Sequence, residues 1–159
     1  RVLVRVYDLG QTFLTRWHNS WAKSYGAFHS AVEVYGHEWS FGMTGNDWST
    51  GVVEHVPGQN MDHTFRETLV VGYTKYSAMQ VQQIIAGMKS EWKGCTYNLF
   101  SRNCHNFTEE FCSRLGVGPI PSWINDLASS FAGSPEDDEE EQEKDAKYLP
   151  EGPRELMLV

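Results

Sequence analysis

The sequence predicts an α+β fold, and three observations carry that prediction. Runs rich in β-branched residues recur through the first 74 positions, the hydrophobic period turns helical at Ser77, and the remaining elements read as helices. Strands first and helices afterwards favour an antiparallel sheet packed against a few helices over alternating βαβ units. At 159 residues the chain has room for one domain with a sizeable core.

The elements follow in order. "VLVRVYD" reads as a strand ending at Asp8-Leu9-Gly10, and residues 11–25, without a clean period, read as a loop with one helical turn. "GAFHSAVEVYGHEWSFGMTG" reads as a hairpin: one strand over about Ala27 to Tyr35, a turn at Gly36-His37, and a return over Glu38 to Gly42. "GVVEHVPG" and "RETLVVGYT" supply further strands. Met79, Val81, Ile84, Ile85, Met88 and Trp92 then recur at helical spacing behind a Ser77 cap, with Gly94 closing the helix. A second helix is expected from Cys104 to Leu115, ended by Gly116, and a third, short one in "PIPSWINDLASSFAG" behind Ser122. We find no internal repeat.

The net charge of −8 divides unevenly along the chain. Residues 1–133 hold 11 acidic and 10 basic side chains, whereas residues 134–159 hold 10 acidic and 3 basic. The sequence therefore divides into a near-neutral domain, 1–133, and an acidic tail, 134–159, that buries too little apolar surface to order itself. A neutral body with an acidic tail argues against nucleic acid as a partner, because phosphate binding needs clustered Lys and Arg. No apolar run approaches the roughly 18 residues of a membrane span. Three cysteines, an odd number, suit a reducing compartment, so the expected location is cytoplasmic, with the nucleus as a second possibility. The chain opens on Arg1 inside a strand, as a fragment would, so a missing targeting signal carries no weight.

Chemistry concentrates in "YNLFSRNCHNFTEEFC". Cys104 stands at a helix start, capped by Asn103 or Ser101, where amides and the macrodipole favour a thiolate and lower its pKa. It leads the stripe Phe107, Phe111, Leu115 and so points inward. A buried cysteine is equally well a small core residue. A nucleophilic reading needs a base nearby in space, and His29 is the best of six histidines. Alternation puts His29 on one strand face with Ala31 and Glu33, and a helix packed on that face would meet it. A hydrogen-bonded core histidine is the competing reading. His18, His37, His55 and His63 fall in turns, loops or strand ends, where solvation explains them, and His105 projects about 100° from Cys104. Metal ligation is disfavoured: there is no CxxC, HxH or HExxH, and Cys104-His105-Cys112 lacks zinc spacing. No cofactor fingerprint is present. Cys95 and Cys112 read as structural.

Taken in order, "VRVYDLG", "FHSAVEVYGHEWSFG", "FRETLVVGYT", "EWKGCTYNLFSRNCHNFTEEFC" and "IPSWINDLAS" resemble the PPPDE family of cysteine isopeptidases, the desumoylating isopeptidases, and most closely their type 2 branch. The resemblance covers residues 2–130. It implies a circularly permuted papain-like fold, with the histidine ahead of the cysteine in the chain. It also implies catalytic roles for His29 in "FHS" and Cys104 in "RNC", no cofactor or metal, and ubiquitin or SUMO-type conjugates as partners. The Cys104 amide is the expected first oxyanion donor. Two features depart from the family: the residue after the cysteine is usually Asn but here is His105, and no third residue orients the histidine, since Glu33 is about 13 Å along the strand. Trp39, Phe41 and Trp123 are expected near the groove. A protein S-acyl thioesterase using the same pair, or a non-catalytic interaction module, are the alternatives.

Overall fold

The computed structural model describes residues 1–9 and 28–124. The expected loop at 11–25, His18, the third helix beyond Ile124 and the acidic tail lie outside the described residues.

Among the described residues, the strands are β1 (Val2–Asp8), β2 (Phe28–Val34), β3 (His37–Phe41), β4 (Val52–His55) and β5 (Thr64–Gly72). They form one antiparallel sheet in the order β4-β3-β2-β1-β5. Two helices follow, α1 (Ala78–Glu91) and α2 (Cys104–Arg114), with 3₁₀ turns at Gly94–Thr96 and Ser122–Ile124. The α+β expectation is met.

One sheet face makes the core. Val2, Val4 and Val6 of β1 lie opposite Val34, Val32 and Ser30 of β2, as period-2 alternation requires. Val81, Ile85 and Met88 of α1 and Phe107, Phe111 and Leu115 join that same cluster. Trp39 and Phe41 are fully buried in it, Trp39 edge-on to Phe111 and Phe41 edge-on to Trp92. These two aromatics are therefore core residues and do not line a groove, contrary to the sequence expectation. Trp123 instead packs edge-on against Phe28, at the start of the strand carrying His29.

The hairpin turn falls one residue earlier than expected. Tyr35 and Gly36 both have positive φ (52° and 79°), the two-residue geometry that matches strand twist. Tyr35 tolerates it while donating its hydroxyl to the Tyr76 carbonyl at 2.7 Å. Ser77 caps α1 reciprocally with Gln80, as its spacing predicts. Gly94 does not close that helix: α1 ends at Glu91, and the Trp92 amide donates to Met88. Gly94 is small for another reason, because a Cβ there would stand 2.2 Å from Thr44 Oγ1. At Gly87, inside α1, an added Cβ would meet only Glu91 Oε1, at 4.0 Å. Gly87→Ala should therefore stabilise the fold by about 0.5–1 kcal/mol, read as a raised denaturant midpoint with unchanged slope.

Candidate active site

The loop before α2 is built to place Cys104. The Asn98 side chain accepts the Phe100 and Ser101 amides, and the Asn98 and Arg102 backbones bond each other both ways. Arg102 lies over the Trp92 ring at 4.0 Å and donates to the Glu91 carbonyl, tying the loop to the end of α1. Asn103 is the cap: its Oδ1 accepts the His105 and Asn106 amides, while Asn106 Oδ1 accepts the Asn103 amide. Asn106 thus serves the helix start itself.

Cys104 opens α2 and is buried. Its sulfur is approached by its own amide, the amides of Ser30 and His105, and the Tyr97 side chain. Each favours a thiolate, but burial outweighs them together, and the thiol is pushed up to about 11. The helix start therefore does not by itself lower this pKa, contrary to the sequence expectation. A charged partner is needed to make the thiolate at neutral pH.

His29 is 8% exposed, one residue from the amide aimed at that sulfur. Its Nε2 is buried without a hydrogen-bond partner. Burial holds the ring well below the ordinary histidine range, and His63, His105 and His55 push the same way. A buried imidazole nitrogen without a partner costs stability, as does the likewise unpartnered Trp39 Nε1 in the core. The route by which His29 reaches the site differs from expectation. α2 packs on the opposite strand face: Ser30 Oγ, not His29, meets α2, at 2.8 Å from His105 Nδ1 and 3.0 Å from Thr108 Oγ1. His29 faces Tyr7 instead, ring centroids 6.1 Å apart. The apolar stripe of Val32 and Val34 decides which face α2 covers, and His29 is at the strand end beside the helix start.

The other expected residues separate cleanly. His105 is not oriented to serve Cys104; it clamps the helix to the strand, bonding Ser30 and donating to the Phe28 carbonyl. Glu33 pairs with Arg5, not with His29. His37 pairs with Glu54 and His55 bonds Ser40. Cys112 is buried, its thiol pushed up to about 12, whereas Cys95 is exposed, its sulfur 3.7 Å from the Asp47 carbonyl oxygen. Among the described residues, no group of three His, Cys, Asp or Glu side chains could hold a metal ion. No helix there is long and apolar enough to cross a membrane.

Sequence reasoning missed the Ser30 amide and Tyr97 as neighbours of Cys104, and His63 as a neighbour of His29. The His63 ring stands 4.6 Å from that of His29, tilted by 33°. No spacing rule links positions 29 and 63. The two meet only because β2 and β5 both pair with β1, Asp8 lying opposite Phe28 and Thr64.

The His105 clamp carries a pH prediction. Burial takes His105 down to about 4, whereas an unfolded histidine titrates near 6.5. The unfolded chain then binds more protons between these values, so stability falls as pH drops from 6.5 through 4. The His105 share of the loss is about 3 kcal/mol. Urea unfolding at pH 7 and pH 4.5 should show the drop, and His105→Asn should lessen it.

Residues 1–137 match the family described as PPPDE putative peptidase domain. The chain belongs to this family. A desumoylating isopeptidase 1 homolog of Caenorhabditis elegans is 34% identical over 84% of this chain and 40% of its own length. A DeSI-like protein of Arabidopsis thaliana is 36% identical over 65% of this chain and 46% of its own. Desumoylating isopeptidase 1 of Rattus norvegicus is 29% identical over 69% of this chain and 62% of its own. The chain thus spans less than half the length of the first two relatives. In this chain the strand carrying His29, β2, precedes the helix that Cys104 opens, α2.

Proposed function

We propose that the chain is a cysteine isopeptidase of permuted papain-like architecture that removes SUMO-type or ubiquitin modifiers from proteins. The observation that carries this reading is Cys104 at the N-terminus of α2, with the amide next to His29 aimed at its sulfur. The relatives named as desumoylating isopeptidases support SUMO conjugates as the substrate class.

His29 takes the Cys104 proton, giving a thiolate and an imidazolium that stabilise each other in a buried site. The thiolate attacks the carbonyl carbon of the isopeptide bond, and the Cys104 amide at the helix start receives the developing oxyanion. As the intermediate collapses, the C–N bond breaks and His29 returns its proton to the leaving lysine amine. Water, deprotonated by His29, then cleaves the thioester and frees the modifier. Family membership gives the peptidase chemistry its context; the dyad is assigned from these two side chains.

The test is a panel of ubiquitin, SUMO and acyl probes carrying a reactive C-terminal or acyl electrophile. SUMO or ubiquitin probe capture, kept in Cys95→Ser and Cys112→Ser and lost in Cys104→Ser, is the expected result. Capture of the acyl probe alone would replace the reading with a thioesterase, and capture of none would favour a non-catalytic module.

A further inference from the structure

We propose that His63 is the positioning residue for His29, holding its ring by face contact where a papain-like site would use a hydrogen-bonded side chain. This rests on the Cys104–His29 reading above.

The missing orienter is a physical problem. An imidazole with no hydrogen bond at one buried nitrogen is free to turn about its side-chain bonds unless packing stops it. His29 Nε2 has no such bond, and Glu33, the nearest carboxylate along its strand, is committed to Arg5. Rings flank His29 instead. Tyr7 is 6.1 Å away, itself fixed by its hydroxyl bond to buried Glu38 at 2.6 Å and by edge contact with Phe65. His63 is closer, at 4.6 Å with its ring plane tilted by 33°, close enough that its packing resists rotation of the His29 ring. It sits immediately before β5, so the sheet itself delivers it.

Among the described residues, the charged and titratable groups that bear on this pair come from several elements. They are Tyr7 on β1, Glu38 on β3 through Tyr7, His55 on β4, Asp62 beside His63, and His105 on α2. Burial and His55 oppose a charge on His63 and Asp62 favours one, with burial the largest influence. A neutral His63 lets His29 accept the Cys104 proton without meeting a second cation at 4.6 Å.

The experiment uses the full chain carrying Cys95→Ser, so that the exposed thiol is silent. The rate of Cys104 alkylation by chloroacetamide is followed against pH by intact mass. Unmodified His63 should give a low-pH step where the thiolate–imidazolium pair forms. His63→Ala should move that step up by about one pH unit and lower the plateau about tenfold. His63→Phe, which keeps a ring but no charge, should restore both to near the parent values. Thermal unfolding checks that each variant folds, and the Phe variant alone decides between ring packing and charge. A His63→Ala profile equal to the parent, or a Phe variant as impaired as the Ala variant, overturns the proposal. If His29→Ala also leaves the profile unchanged, the dyad reading fails and this proposal with it.

Discussion

His29→Ala is expected to lower turnover of a modifier conjugate about 1000-fold, with KM little changed. Two losses combine. The leaving amine no longer receives a proton, and Cys104 no longer has a partner to take its own. Alone in its buried position the thiol ionises at about 11, so roughly one molecule in 10⁴ carries the thiolate at pH 7. Raising the pH should recover part of the rate in the variant, because hydroxide then does what His29 did for the thiol. Single-turnover kinetics at pH 7 and pH 9.5 would show this. A loss under tenfold at pH 7 would mean that another base serves Cys104.

The second large effect is on folding and lies outside the proposed catalytic pair. Gly51 is where three backbone segments meet. Its amide donates to the Trp92 carbonyl and its carbonyl accepts the Gly42 amide, both at 2.9 Å. A Cβ at this position would stand 2.3 Å from the Gly42 oxygen and 2.8 Å from the Gly94 Cα. Backbone atoms cannot swing aside as a flexible side chain would. Gly51→Ala must therefore push the 42–51 loop off the segment at 92–94, breaking both bonds and the neighbouring Gly94 amide bond to Ser49. We expect a loss of about 3 kcal/mol. Because residues 92–97 lead to Tyr97 and the Cys104 loop, activity should fall as well, and more than the unfolded fraction accounts for. Urea unfolding beside activity at low denaturant separates the two.

The fold was legible where chemistry is local. Ser77 with Gln80 and Asn103 ahead of α2 are cap signals readable within four residues. The inward stripe of Cys104, Phe107, Phe111 and Leu115 follows from helical period alone, and all four are buried. Errors arose where the answer is set by partners distant in sequence. Gly94 looks like a helix terminator until Thr44 is seen against it. Alternation correctly separated His29 from Ser30 but gave no way to know which face α2 would choose; the valines on the Ser30 side decided it. The thiol illustrates the same limit: its helix position argues for a lowered pKa, and its burial, a tertiary property, reverses the sign.

His105, the residue after Cys104, proves to be a clamp between the two strand residues flanking His29 and the helix carrying Cys104. Ser30 completes that clamp through its hydroxyl while its amide addresses the sulfur. The strand and helix bearing the proposed pair are thus locked by bonds from Ser30 to His105 and Thr108 that use neither the His29 nor the Cys104 side chain.

The pairing of Cys104 with His29 is most directly tested by thiolate absorbance near 240 nm, titrated in a Cys95→Ser background with and without His29→Ala. Cys112, pushed up to about 12, stays silent through most of the range. Thiolate should be present at neutral pH with His29 in place, and absent until the pH nears 11 without it. Superimposable titrations of the two proteins would contradict the pairing.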